Sequence, residues 1–259
     1  MRMRDVGWVW EGQGLDPGVY PSIFGVGEGA EYFGLSRACF MFHPNNELAM
    51  EKLRPLDAVI CDIAKWKYRN TPGGGSEHWV DAAPDSVRAE AENVSRLSTR
   101  YPNIAGALHD DMKGLMQREG YRPEDYAPIC GALKSANPNL ALWAVVYTHE
   151  LEKEYWKDWA GAADVVSLWV WDSSRLPGVE AEVARCRKTF PRQRVNMGVY
   201  IRDYSRKAPV ELPMLEAELS AIRRLMGSGD IEGYSILGNC LIDQHPEQAA
   251  FIRDYIRDH

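Results

Sequence analysis

The chain is short of several things, and each shortage narrows what it can be. No apolar run among its 259 residues reaches the roughly 20 residues needed to cross a bilayer. The basic start Met1-Arg2-Met3-Arg4 leads into a strand pattern rather than the apolar core of a signal peptide. Cysteine is sparse: Cys39, Cys61, Cys130, Cys186 and Cys240 form no CxxC pair, which argues for buried free thiols over disulfides or a zinc site. Together these favour the cytoplasm and no membrane partner, with secretion after removal of a signal left open. A basic excess is missing too. The net charge is -7 and the lysines and arginines are scattered among acids, so a nucleic-acid partner is not expected. Gly25-Val26-Gly27-Glu28-Gly29 lacks the spacing and the Lys-Ser/Thr of a phosphate loop, so no nucleotide is expected. No tight ligand motif calls for a metal, and no cofactor is expected. No linker or composition shift divides the chain, so residues 1–259 are read as one domain.

What the sequence does contain is alternation. Strand-like runs fall at 6–11, 38–42, 58–64, the beginning of 103–112, 140–147, 164–170, 195–201 and 233–237. Helix-forming stretches lie between and after them. A turn is expected near 28–33, a helix after Asn45 or Asn46 to about 53, and others at 84–100, 123–136, 151–159, 179–189, 213–226 and 246–257. Residues 114–120 read as a short helical turn or lid, and Thr71-Pro72-Gly73-Gly74-Gly75-Ser76 as a mobile, exposed loop. Strict alternation implies parallel strands. Eight repeats in a chain of this length give the α/β class and a single (β/α)8 TIM barrel. A doubly wound open sheet is the alternative, and it would carry a glycine-rich turn after the first strand.

Active sites of such barrels sit at the C-terminal ends of the strands. Here those ends are polar or aromatic. Two adjacent carboxylates closing an apolar strand, as in Ala107-Leu108-His109-Asp110-Asp111, are costly unless they reach a cleft, a cation or hydrogen-bond donors. Alternation along each strand, where i and i+2 share a face, sends Asp62, His43, Trp169, Trp171, Tyr200, Arg202 and Asn239 inward. The same reasoning gives Ala105, Ala107, His109 and Asp111 as the inner row of the fourth strand. It gives Leu142, Ala144, Val146, Thr148 and Glu150 as one row of the fifth. Asp110 and Asp172 stand at the rim, Lys65 and Trp66 follow the third strand, and Glu11 ends the first. Each has a plainer reading. Asp110 or Asp111 could cap the next turn, and Glu150 could begin a helix. Asp62 could pair with Arg202 or Lys65. The tryptophans could be core and the histidines satisfied barrel residues.

Nine tryptophans and twelve tyrosines, several at strand ends, suit the faces of sugar rings. Carboxylates among them suit glycoside hydrolysis, in which one carboxylic acid protonates the leaving oxygen and a second carboxylate acts as nucleophile or activates water. Asp110, Asp111 and Glu150 are the candidates, with Asp62 and Asp172 in reserve. The runs Ala105-Gly106-Ala107-Leu108-His109-Asp110-Asp111-Met112, Leu142-Trp143-Ala144-Val145-Val146-Tyr147 and Leu168-Trp169-Val170-Trp171 resemble a group of bacterial glycoside-hydrolase-like TIM-barrel proteins. Members often end the apolar strand in Asp-Asp-Phe, where this chain has Met112. The resemblance covers strands three to eight and implies a barrel, a sugar-type cleft with a carbohydrate or glycoside substrate, and Asp110 and Asp111 at the site. Many members have no assigned activity, and the oligomeric state is open. Two other readings stand beside it. One is a metal-dependent sugar isomerase, aldolase or lyase using His43, Asp62, His109, Asp111 and Glu150. The other is an inactive carbohydrate-binding barrel.

Overall fold

The structure is a computed structural model that describes residues 2–13, 18–159 and 161–259. Part of the loop expected after the first strand (14–17), Met1 and residue 160 lie outside the described residues. In chain order the elements are β1 (Gly7–Trp10), α1 (Val26–Phe33), β2 (Arg37–Phe40), α2 (Glu47–Lys52), β3 (Ala58–Asp62), β4 (Trp66–Asn70), β5 (Ser76–Val80) and α3 (Pro84–Ser98). Next come β6 (Ile104–His109), α4 (Met112–Arg118), α5 (Pro123–Leu133), β7 (Ala141–Tyr147), α6 (Lys153–Trp156), β8 (Val165–Trp169), α7 (Val179–Thr189) and β9 (Arg194–Tyr200). The chain continues through β10 (Arg202–Asp203), β11 (Ala208–Pro209), α8 (Leu212–Ser228), β12 (Gly233–Leu237) and α9 (Pro246–Asp258). Single 3-10 turns at Met3–Asp5, Thr148–Glu150, Ser173–Gly178 and Asn239–Leu241 complete it.

Eight of these strands close into one parallel barrel in the order β1, β2, β3, β6, β7, β8, β9, β12 and back to β1. This is the (β/α)8 barrel expected from the alternation. The helices begin and end on local signals. Asn46 caps α2 by accepting from the Ala49 N–H at 2.9 Å, and Pro84, Pro123 and Pro246 open α3, α5 and α9, where a missing N–H costs nothing. Val87, Ala91 and Val94 of α3 recur at helical spacing and are buried. The helix expected at 151–159 shortens to the single turn Lys153–Trp156.

Residues in register on neighbouring parallel strands face the same way, so the inner row can be traced round the barrel. In-register runs on it are Trp10, Cys39, Ile60, Gly106 and Ala141; Trp8, Ser235 and Gly198; and Asp62, Leu108, Trp143, Val165 and Arg194. Trp8 packs edge-on to Trp143 at 5.2 Å, and Trp10 edge-on to Trp169 at 5.1 Å, so four indoles fill the barrel interior. Gly198 is required there: a Cβ on it would fall 2.0 Å from the Trp169 ring.

Two expected rows are reversed. In β6 the inward residues are Gly106 and Leu108, while His109 turns outward to α5, stacking on Tyr126 at 5.8 Å. In β7 they are Trp143, Val145 and Tyr147 rather than Leu142, Ala144 and Val146. The cause is the same in both. Parallel strands buried on both faces carry apolar residues in both rows, so alternation holds no contrast to read. A register shift between β3 and β6 at Val59/Ile60 adds to it. The segment expected as a plain exposed loop is also more ordered than that. Its turn is exposed, but it joins β4 and β5 into an antiparallel hairpin with Tyr68 opposite His78.

Candidate active site

At the C-terminal mouth of the barrel a cavity of about 160 Å³ is lined by aromatic rings from β1, β8, β9 and β7, by Phe42 and Trp66, and by Asp110 and Asp111. A second compartment of about 410 Å³ adjoins it, sharing Asp111, Tyr147 and Trp171 and adding His149 and Glu150. Three of the carboxylates singled out in the sequence therefore line two adjoining compartments, with Asp111 common to both.

Asp111 is the centre of it. Its backbone lies in the left-handed region at φ 41°, unusual for a residue with a Cβ and the kind of local strain that collects at working sites. Although it stands at the start of α4, its side chain caps nothing. It accepts a 2.7 Å hydrogen bond from the Tyr147 hydroxyl and, among the described residues, has no salt-bridge partner. Asp110 accepts the Asp111 N–H at 3.0 Å, which fixes the Asp110 carboxylate against the Asp111 backbone. Glu150 ends a 3-10 turn and accepts the Tyr147 N–H at 3.2 Å. It is half-buried, and that burial holds its carboxyl above the usual range against the opposing pull of the Tyr147 N–H and Lys113; the nearby Asp111 charge pushes the same way as burial. Burial also raises the Tyr147 and Tyr200 hydroxyls well above the ordinary phenol, so both remain protonated donors.

Trp169 is buried, its Nε1–H donating to Ser167 Oγ at 2.9 Å, with Tyr200 4.8 Å away; it is the floor of the cavity. Trp171 is 40% exposed and stacks on Tyr204 at 5.5 Å, edge-on to Tyr147, so it forms the wall between the two compartments.

Asp62 lies on the inner row just beneath. It is fully buried, accepts the Ala64 N–H at 3.1 Å and the backbone N–H of Asp110, and burial pushes it up to about 7 despite the nearby Lys65. Lys65 donates to the Met41 carbonyl at 2.6 Å and sits over the Phe40 ring. Trp66 lines the cavity and packs on Phe42.

The remaining sequence candidates lie elsewhere. His43 is held by Glu11, its Nδ1 2.5 Å from a carboxylate that also accepts the Met41 and Phe42 N–H groups, and it faces a groove between α1 and α2. His109, turned to the helix layer, shares a 2.9 Å hydrogen bond with the Tyr126 hydroxyl, and burial lowers it to about 3. Arg202 is buried beside His245, Asn239 ties Gly12 to the Phe24 carbonyl, and Asp172 accepts the Ser174 N–H. With His43 and His109 on the outside, the mixed histidine and carboxylate ligand set is not assembled. Among the described residues no three His, Cys, Asp or Glu side chains gather where they could hold a metal ion. The sequence reading missed several cleft residues: Tyr147, Trp10 and Phe42 at strand ends, His149, and Tyr204 in the loop after β10. No helix among the described residues is long and apolar enough to cross a membrane.

A closed (β/α)8 barrel with carboxylates and stacked rings at its mouth is the class defined by this architecture. No protein-family model and no curated protein matches the sequence. Solved structures match the fold. A β-glucuronidase from Bacteroides uniformis is 14% identical with a TM-score of 0.54, over 82% of this chain and 28% of that one. The PgaB (BpsB) glycoside hydrolase domain from Bordetella bronchiseptica is 13% identical with a TM-score of 0.52, over 88% and 91%. The catalytic domain of a family GH18 chitinase from the fern Peteris ryukyuensis is 11% identical with a TM-score of 0.53, over 97% and 99%. The chain thus spans under a third of the β-glucuronidase but nearly all of the other two. At these identities the likeness is one of fold.

Proposed function

We propose that this chain is a glycoside hydrolase in which Glu150 is the general acid and Asp111 the carboxylate that meets positive charge at the anomeric carbon. The observation that carries the reading is Asp111 itself. It is a carboxylate in a left-handed backbone, restrained by a tyrosine hydroxyl rather than a cation, in the compartment that it shares with half-buried Glu150. In the reaction the Glu150 proton passes to the glycosidic oxygen as the bond from that oxygen to the anomeric carbon breaks. Water then adds to the anomeric carbon and gives up its proton to a carboxylate. An acid suits this task when its proton is retained toward neutral pH, which is the direction burial gives Glu150. Asp110 accepts the Asp111 backbone N–H and so supports the strained turn that carries Asp111, and the rings of Trp169, Trp171 and Tyr200 offer faces for a sugar. That the solved structures of similar fold include a glycoside hydrolase domain and a chitinase catalytic domain supports the reading of glycoside hydrolysis.

The test is hydrolysis of a panel of aryl glycosides and oligosaccharides by the full chain, with Asp111→Asn and Glu150→Gln. Each substitution keeps shape and removes the charge or the proton, and each is expected to lower turnover about 10²–10⁴-fold while sugar binding persists. Turnover that is equal in wild type and both variants would sink the assignment. The anomer released, followed by NMR, separates retention from inversion.

A further inference from the structure

The β4–β5 hairpin stands beside the cleft and is not needed to close the barrel. Its two faces differ. On one, Arg69 pairs with Glu77 and lies over Trp79 at 5.9 Å, so the charged and aromatic groups satisfy each other. On the other, Trp66 and Tyr68 alternate along β4 and His78 lies opposite Tyr68, which puts three rings on one face. The rings form a row, Trp66 to His78 at 5.6 Å and His78 to Tyr68 at 6.4 Å, all tilted by about the same 36–37°. The row starts inside the cavity, because Trp66 also lines its wall, and it runs outward to Tyr68, which is 53% exposed. The hairpin is tied to the barrel at its base and midway along β4. The Tyr68 hydroxyl donates to Gln13 Oε1 at 3.1 Å, the Asp81 N–H donates to the Lys65 carbonyl at 2.9 Å, and Arg118 donates to the Val80 carbonyl at 2.6 Å.

The central cavity is small. Its 160 Å³ is about five water volumes at ~30 Å³ each, the scale of a single sugar ring. A longer chain must extend past it, into the adjoining compartment or along the row of rings that continues from the Trp66 wall. We propose that the Trp66–His78–Tyr68 face is a platform for the sugar units beyond the one in the cavity, so that the ligand is an extended oligosaccharide rather than a small glycoside. This rests on the carbohydrate reading of the cleft. Successive ring faces hold successive pyranose faces, and Gln13, whose Oε1 is engaged by Tyr68, has two amide donors for sugar hydroxyls.

The experiment titrates cello-, chito-, manno- and xylo-oligosaccharides of two to six units into the full chain and into Tyr68→Ala, His78→Ala, their double variant, Tyr68→Phe and Trp79→Ala. For at least one series, affinity should rise at least tenfold from the dimer to the hexamer. Tyr68→Ala and His78→Ala should each weaken the hexamer about threefold to tenfold, the scale of one ring contact, and leave the dimer unchanged. Tyr68→Phe keeps the ring but loses the Gln13 bond, and should keep most of the length dependence that Tyr68→Ala removes. Trp79→Ala perturbs the opposite face and should change neither length, so a general loss of hairpin structure would be recognised. The proposal is overturned if no series shows length dependence, if the double variant keeps it, or if no oligosaccharide binds. Its failure is separable from that of the hydrolase reading. Hydrolysis that is lost in Asp111→Asn but indifferent to Tyr68→Ala defeats the platform alone. Length-dependent binding that needs Tyr68, in a chain with no turnover, defeats the hydrolase alone.

Discussion

At the scale of single residues, the site turns on what surrounds two carboxylates. Tyr147 serves both: its hydroxyl bonds Asp111 and its backbone N–H bonds Glu150. Tyr147→Phe keeps the ring and the backbone bond and removes only the hydroxyl. A hydrogen bond to a charged group is worth about 1.5–3 kcal/mol, so the rate should fall roughly tenfold to a hundredfold, with little change in melting temperature. An unchanged kcat/KM would show that Asp111 does not depend on that contact. Lys113, over the Tyr155 ring and bonded to Glu152, pulls the Glu150 carboxyl down while burial raises it. Lys113→Met removes the pull, so the alkaline limb of the pH–rate profile should move to higher pH. A limb that stays put or moves down would remove Glu150 from the role of acid. Much of this neighbourhood could be read from the sequence. Two charges closing an apolar strand had to reach something polar, which drew attention to Asp110 and Asp111. The side chains that serve them could not be chosen in the same way. His109 was polar at a strand end yet faces the helices, where the hydroxyl of Tyr126 meets it.

At the scale of elements, the barrel was legible because eight apolar runs separated by helical stretches admit few arrangements. Rows with contrast were also legible. Ser167, Trp169 and Trp171 against Val166, Leu168 and Val170 gave the inner row of β8, and Asn196, Gly198 and Tyr200 gave that of β9. β7 offered only apolar residues on both sides. The β4–β5 hairpin was missed because its strands are exposed and carry Lys67, Arg69 and Glu77, although Trp66 and Tyr68 at period two before a glycine-rich turn were a usable signal. The inner packing makes its own prediction. Gly198 faces the Trp169 ring so closely that Gly198→Ala must displace a buried indole wedged between Trp10 and Tyr200. The expected cost is about 1–3 kcal/mol or more, read as a lower midpoint of denaturation. Turnover should fall with it, because Trp169 floors the cavity. A variant as stable as wild type would mean that the barrel interior yields more easily than four packed indoles suggest.

At the scale of the whole molecule, two buried groups set opposing dependences of stability on pH. His109 is neutral in the fold down to about 3 and takes up a proton near 6.5 when unfolded. The unfolded chain therefore binds more protons between those values, and stability falls as pH drops through them. Asp62 has the opposite sign. It keeps its proton in the fold up to about 7 and releases it near 3.8 when unfolded, so stability falls as pH rises from about 4 to 7. Each shift of about three pKa units corresponds to ~4 kcal/mol, and the two slopes largely offset one another across the shared window. Asp62→Asn isolates one of them. The amide oxygen can still accept the Ala64 N–H bond, and the side chain carries no charge to bury. Relative to wild type, its melting temperature should therefore climb by several degrees between pH 4 and pH 7.5, at about 2–4 °C per kcal/mol for a chain of this size. A difference that stays constant with pH would mean that Asp62 is ionised in the fold throughout. Because Asp62 also holds the backbone of Asp110, its ionisation bears directly on the carboxylate pair above it. The pH–rate profile of wild type should then carry a component that changes as pH rises toward 7, and in Asp62→Asn that component should be gone.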